Sequence, residues 1–327
     1  MDEQEKITTE LTDDPERAAR HLRRGETVAF PTETVYGLGA NAFDETAVAR
    51  IYLAKGRPQD NPLIVHIADQ AQLAAVAREI PAAARQFIAA FFPGPLTLVV
   101  PRHPRIPLRV TAGLETVGVR MPRHPVAQAF LRACGVPVAA PSANLSGKPS
   151  PTTWQAVAAD LTGRISCILQ GDQTEVGLES TVVDCTATTP VILREGAVTL
   201  EQLREIVPET RGRRAADEAL PKSPGMKYRH YAPASKVILV HDPAAVAVTP
   251  DSAATAWIGL APHPRAAALA LHRQCADVGE YAHALFDFFR QCDAAGVRFL
   301  YCQAVPETGL GRALMDRIRR AAETGAG

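Results

Sequence analysis

The chain is predicted to be an α/β protein, with a mixed sheet in a larger N-terminal domain and a small Rossmann-like domain after it. Three observations point there. Strand-length apolar runs alternate with segments of helical period along most of the 327 residues, the pattern of layered α/β folds. Near the end of the N-terminal region the runs Cys167–Gln170, Ser180–Asp184 and Val191–Arg194 follow one another without helices, which argues for a mixed sheet. A charged, breaker-rich stretch without period, Pro208–Ser235, then divides the chain into two lengths that can each bury a core.

Taken in order, Asp14–Arg24 reads as an amphipathic helix leading into a buried strand at Val28–Phe30. Pro31 stops that strand, and Thr32-Glu33-Thr34 adds a cluster of oxygen-bearing side chains. Tyr36-Gly37-Leu38-Gly39 is expected to be a loop whose glycines let the backbone approach something closely. A helix follows, with Asp44 as N-cap and Ala47, Val48, Ile51 and Tyr52 on one face; it stops in Lys55-Gly56-Arg57-Pro58. Leu63–Ile67 is a second apolar strand. Helices are expected at Ala71–Val76, Ala82–Phe92, Pro125–Ala133, Thr152–Leu161 and Leu200–Val207, with strands at Leu96–Val100, Thr116–Arg120 and Val136–Ala140. After the linker, strands at Lys236–Val240, Ala254–Leu260 and Arg298–Ala304 and helices at Glu280–Ala294 and Leu310–Ala322 make the second domain, residues 236–327.

The stretch Thr27–Ile67 outlines a β-α-β cradle for something anionic and polar. Its pieces have plainer readings too. Gly37-Leu38-Gly39-Ala40-Asn41-Ala42 fits a dinucleotide fingerprint, with Asp60 downstream, but that fingerprint has no use for the polar Pro-Thr-Glu-Thr loop. Lys55 and Arg57 also suit an ordinary cationic helix end, and His66 a satisfied core histidine. Gly309-Leu310-Gly311 is better read as a tight turn before the last helix than as a phosphate loop.

Longer blocks are more specific. PTETVYGLGANA, KGRP at Lys55–Pro58, NPL at Asn61–Leu63, FPGPLTLVV (Phe92–Val100), VGVRMPRHP (Val117–Pro125), APSANLSGKPSPT (Ala140–Thr152), ESTVVD (Glu179–Asp184) and LREGAV (Leu193–Val198) together resemble the Sua5/YrdC family. SPGMKYRHYAP (Ser223–Pro233) resembles the linker of its longer, two-domain Sua5 form. The resemblance implies a YrdC-like catalytic domain at residues 1–207, its twisted mixed sheet built around a large cavity, then a linker at 208–235 and the Sua5 C-terminal domain. It implies a threonylcarbamoyl-AMP synthase, which joins L-threonine, bicarbonate or CO2 and ATP and releases pyrophosphate. That reaction begins threonylcarbamoyladenosine modification of transfer RNA, and the product passes to a tRNA threonylcarbamoyl transferase.

Such chemistry asks little covalent help from side chains and much positioning and charge neutralisation. Lys55 and Arg57, two residues apart in a turn, can face one phosphate chain. Asn61, Thr116, Ser142, Asn144, Ser150 and Arg194 are the further candidates for ATP. Thr34, His66, Arg120, Ala140 (through its backbone) and Ser180 are those for threonine. Mg2+ is expected through the phosphates, not through a cage of protein carboxylates. In the linker, His230 and Tyr231 are expected to lie over the nucleotide as part of a lid.

Other classes are disfavoured. Lys plus Arg and Asp plus Glu both number 35, and the balance also holds from Lys236 to the end, with nine of each. No footprint for nonspecific nucleic-acid binding is visible, which disfavours an RNA-binding module. The six cysteines include no C-x-x-C pair, so they read as buried thiols. The carbamoyl-transfer proteins of hydrogenase maturation, which carry a similar module, also have zinc-finger pairs. No Walker A loop occurs: Gly147-Lys148-Pro149 lacks its spacing and its Ser/Thr. The acidic-polar N-terminus is unlike a signal peptide, and no apolar run is long enough to span a bilayer, so a cytoplasmic protein is expected.

Overall fold

In the computed structural model, residues 7–212, 231–243 and 254–322 are described. The N-terminal domain holds β1 (Glu10–Thr12), α1 (Pro15–Arg23), β2 (Val28–Phe30), β3 (Gly37–Asn41), α2 (Glu45–Lys55), β4 (Ile64–His66), α3 (Leu73–Val76), α4 (Ala82–Phe91) and β5 (Leu96–Pro101). It continues through α5 (Leu108–Thr111), β6 (Thr116–Arg120), α6 (Pro125–Cys134), β7 (Val138–Ala140), α7 (Trp154–Leu161), β8 (Cys167–Leu169), β9 (Thr181–Asp184), β10 (Val191–Arg194) and α8 (Leu200–Ile206). The ten strands form one sheet in the order β1-β8-β2-β3-β7-β4-β6-β5-β9-β10. Parallel and antiparallel pairs are mixed across it, as the adjacent strands of the sequence require. One large apolar cluster packs α2, α4 and α7 onto this sheet, and a second joins α1 and α6 around Phe30 and Phe130.

Residues 37–41 are a strand, not the expected loop. A Cβ on Gly37 would lie 3.2 Å from the Phe30 ring, and one on Gly39 only 2.6 Å from Val138 Cγ1. The close approach that these glycines permit is therefore to β2 and β7, which flank β3 in the sheet. α2 begins and ends as its sequence signals: the Asp44 carboxylate caps Thr46 and Ala47, and Gly56 closes the helix at φ +60°.

The C-terminal domain consists of β11 (Lys236–Val240), β12 (Thr255–Gly259), β13 (Leu271–Gln274), α9 (Val278–Ala294), β14 (Phe299–Gln303) and α10 (Leu310–Ala322). Its four strands are all parallel, in the order β11-β14-β12-β13. β13 was not among the expected strands; Leu271-His272-Arg273-Gln274 has too little apolar content to register as one. Before α10, Gly311 N–H bonds the Thr308 carbonyl at 2.9 Å, the tight turn expected there. All six cysteines are buried and free.

The two domains share a core. Val35 and Leu178 of the first domain and Tyr231 join the apolar cluster built by α9 and α10, where the Tyr231 ring stacks on Phe286 at 5.3 Å. Gly177 seats the contact: a Cβ there would fall 2.5 Å from His283 Cα. No helix among the described residues is long and apolar enough to cross a membrane.

Candidate active site

A pocket with about 620 Å³ of atom-free space, its mouth included, opens where β3 begins, where β4, β6, β7 and β10 end, and where the segment before β9 converges on them.

At one end the sheet register itself assembles the polar groups. His66 and Arg120 are Cα partners on parallel β4 and β6, and Val138 of antiparallel β7 faces His66. Arg120 is buried, with one guanidinium nitrogen 2.9 Å from Glu33 Oε1 and another donating to Thr34 Oγ1 at 2.8 Å. Glu33 is wholly out of water, so this pair fixes the guanidinium where the Pro-Thr-Glu-Thr turn enters the pocket. Thr32 and Thr34 share a hydrogen bond at 2.9 Å. Burial, reinforced by the Arg120 charge, depresses His66 to about 3, so its imidazole is neutral at ordinary pH.

At the other end, Arg57 leaves the left-handed Gly56 and reaches the Asn61 and Pro62 carbonyls at 3.2–3.4 Å. Arg194 follows an irregularity in the β9–β10 ladder. It donates to the Ser180 carbonyl at 2.9 and 3.0 Å and to Ser180 Oγ at 3.0 Å. Thr97 holds that hydroxyl from below at 2.8 Å. Ser142 Oγ donates to Asn144 Oδ1 at 2.5 Å, and Ser150 Oγ to Glu179 Oε1 at 2.5 Å.

Thr34, Arg57, His66, Arg120, Ala140, Ser142, Asn144, Ser150, Ser180, Arg194 and Tyr231 thus line one cavity. Three of the sequence-derived candidates stand elsewhere. The Lys55 ammonium lies beneath the 142–144 loop, donating to the Ser142 carbonyl at 2.5 Å and to the Asn144 carbonyl. Burial first, then the Arg57 charge, holds its pKa well below the ordinary lysine value. Asn61 contributes its carbonyl to Arg57, and its buried Nδ2 has no hydrogen-bond partner among the described residues. Thr116 lines a separate small cavity with Thr97, Thr111 and Gly118. His230 lies outside the described residues.

The pocket also contains groups that sequence reasoning passed over. Thr32, Lys148 and Glu179 line it, and Glu33 supports it through Arg120. Each lies in a block already singled out, so adjacency was the available signal; Lys148 was weighed only as part of a Walker loop. Arg317, which bonds Glu179 from α10, carried no signal at all.

Fold and site together define a two-domain α/β protein whose buried arginines converge on one pocket, suited to anionic substrates handled without a Walker loop. The chain belongs to the Sua5/YrdC family. Residues 20–196 match the Sua5, YciO and YrdC family model, described as telomere recombination, and residues 198–323 match the C-terminal domain of threonylcarbamoyl-AMP synthase. The threonylcarbamoyl-AMP synthase of Pyrococcus abyssi is 45% identical over 319 residues, 93% of this chain and 92% of the relative. That of Bacillus subtilis is 45% identical over 335 residues, 97% and 96% of the two chains. The crystal structure of P. abyssi Sua5 complexed with L-threonine superposes with a TM-score of 0.89, at 42% identity and 98% coverage of both chains. E. coli YciO matches at TM-score 0.51 and 26% identity, spanning 58% of this chain and 95% of its own length.

Proposed function

We propose that this protein is a threonylcarbamoyl-AMP synthase, converting L-threonine, CO2 or bicarbonate and ATP into threonylcarbamoyl-AMP and pyrophosphate. The observation that carries the reading is its likeness, over 98% of both chains, to a protein whose structure holds L-threonine. The geometry supplies parts for each step. Arg120, fixed by Glu33 and Thr34, offers a guanidinium for the amino-acid carboxylate. Neutral His66 stands beside it as a hydrogen-bonding group without competing charge. Threonine's amine attacks CO2 and loses a proton, leaving a carbamate. A carbamate oxygen then attacks the α-phosphorus of ATP, and the bond to pyrophosphate breaks.

Arg57 and Arg194 neutralise the phosphates, and Ser142, Asn144 and Ser150 orient them. Lys55 acts through that loop, holding the 142–144 carbonyls in place. Mg2+ arrives on the phosphates: Glu179 in the pocket lining and Glu33 behind it are each paired with an arginine, at 2.8 and 2.9 Å, and no cluster of metal-ligating side chains occurs among the described residues. The burial that lowers His66 also limits water around the labile carbamate.

Tyr231, at the end of the 208–235 linker, covers the nucleotide end as part of a lid. The product passes in the cytoplasm to a tRNA threonylcarbamoyl transferase. Pyrophosphate release from MgATP tests the reading. Release that needs both L-threonine and bicarbonate, is weaker with L-serine, and falls at least about 100-fold in Arg57→Ala is the expected result. Turnover indifferent to threonine would sink it.

A further inference from the structure

α10 of the C-terminal domain sends a fully buried arginine into the wall of the first domain's pocket. Arg317 donates to Glu179 Oε2 at 2.8 Å and to the Glu195 carbonyl at 2.9 Å, while Asp316 Oδ2 accepts at 2.6 Å. Its guanidinium carbon lies 5.3 Å from the centre of the Tyr231 ring, within cation–π range. Glu179 lines the pocket, and its other oxygen holds Ser150 Oγ at 2.5 Å. α9 grips the same loop: Arg290 donates to the Pro149 carbonyl at 2.6 Å and to Asp160 Oδ2 at 2.8 Å.

We propose that Arg317 is a positioning residue for the nucleotide, through which the C-terminal domain completes the active site. By neutralising Glu179 and anchoring both that carboxylate and Tyr231, it keeps the Ser150 end of the pocket cationic and in register. The inference rests on the synthase reading for the identity of the ligand. Glu179 faces Arg317 from α10, Arg194 from β10, the Tyr231 phenol and the Ser150 hydroxyl. Burial opposes its ionisation, but Arg317, then Arg194 and Ser150, hold its pKa below the ordinary value. Without Arg317, a carboxylate beside the phosphates would lack its nearest counter-charge.

Binding of a non-hydrolysable ATP analogue with Mg2+, by calorimetry on the full chain, tests this. Arg317→Met is expected to weaken the analogue at least about tenfold at pH 8 while changing L-threonine affinity less than about threefold. The loss should shrink as the pH falls and Glu179 takes a proton, a trend absent from the wild type. Adding Glu179→Gln should restore affinity to within about threefold of wild type and abolish the trend. Arg317→Lys should retain most of the affinity.

Arg312→Ala is the control, because it removes an α10 contact to Glu201, at 2.6 Å, in which neither residue lines the pocket. Equal losses in Arg312→Ala and Arg317→Met, a loss that Glu179→Gln leaves untouched, or no loss at all would overturn the inference. Where Arg317→Met does not fold, the Arg317→Met, Glu179→Gln double variant stands in. Affinity within about threefold of wild type supports the role there, and a larger loss overturns it. A wild type that binds no analogue removes the synthase reading and this inference with it; normal wild-type binding with an unaffected variant overturns the inference alone.

Discussion

Arg120 and Glu33 are taken out of water together, and neither is tolerable there alone. Arg120→Ala is expected to cost about 3–5 kcal/mol in urea melts and to abolish L-threonine binding measured by calorimetry. Adding Glu33→Gln should recover part of the stability and none of the binding. Lost binding with full stability would mean that the pair is not a structural unit. His66 gives a pH signature. Unfolded, it takes a proton near 6.5; folded, only near 3. Its contribution is therefore whole above the unfolded value and is lost as the pH falls from 6.5 toward 3. Between about pH 6 and 4, stability should fall more steeply in wild type than in His66→Gln, by up to about 1.4 kcal/mol per pH unit. Parallel slopes in thermal or urea melts would contradict the neutral buried ring.

β3 shows how an element's sequence carries a spatial demand that is not written beside it. Gly37 and Gly39 look like loop glycines, yet they thin one strand so that Phe30 and Val138 can cross it. Gly39→Ala is expected to destabilise the domain by about 1–3 kcal/mol, since its methyl group meets Val138 at 2.6 Å and Phe30 at 3.0 Å. Val138→Ala in the same chain should relieve part of that loss in urea melts. At the α2 C-terminus the local signals and the fold agree, because Gly56 is required at φ +60°. There the last helical turn turns Lys55 under the 142–144 loop, while Arg57 emerges into the cavity.

On the scale of the whole molecule, the second domain packs against the wall of the first domain's pocket. Arg317 pairs with Glu179 of its lining, and Tyr231 of the linker joins the apolar core that the domains share. Gly177 sits at the tightest point, at φ +78° with the α9 backbone against it. Gly177→Ala is expected to lower the melting temperature by several degrees and to weaken nucleotide binding more than threonine binding, because the displaced helix carries Arg290. Equal weakening of both ligands would place the coupling elsewhere.

The sequence by itself determined the two-domain α/β organisation, most of the strands and helices, and the blocks that hold the pocket, because periodicity, caps and breakers are local. It also identified Arg57, Arg120, Ser142 and Arg194 as pocket candidates, since these sit in long specific motifs. Only the tertiary structure decided which of two nearby cations faces the cavity. Lys55 and Arg57 are two residues apart, but a left-handed glycine between them sends one inward and one beneath a loop. Nor could the sequence place Thr116 in a different cavity from Ser142, or pair Glu179 with Arg317 across 138 residues. Those facts depend on strand order and domain docking, where residues distant in the chain meet, and no local pattern records such a meeting.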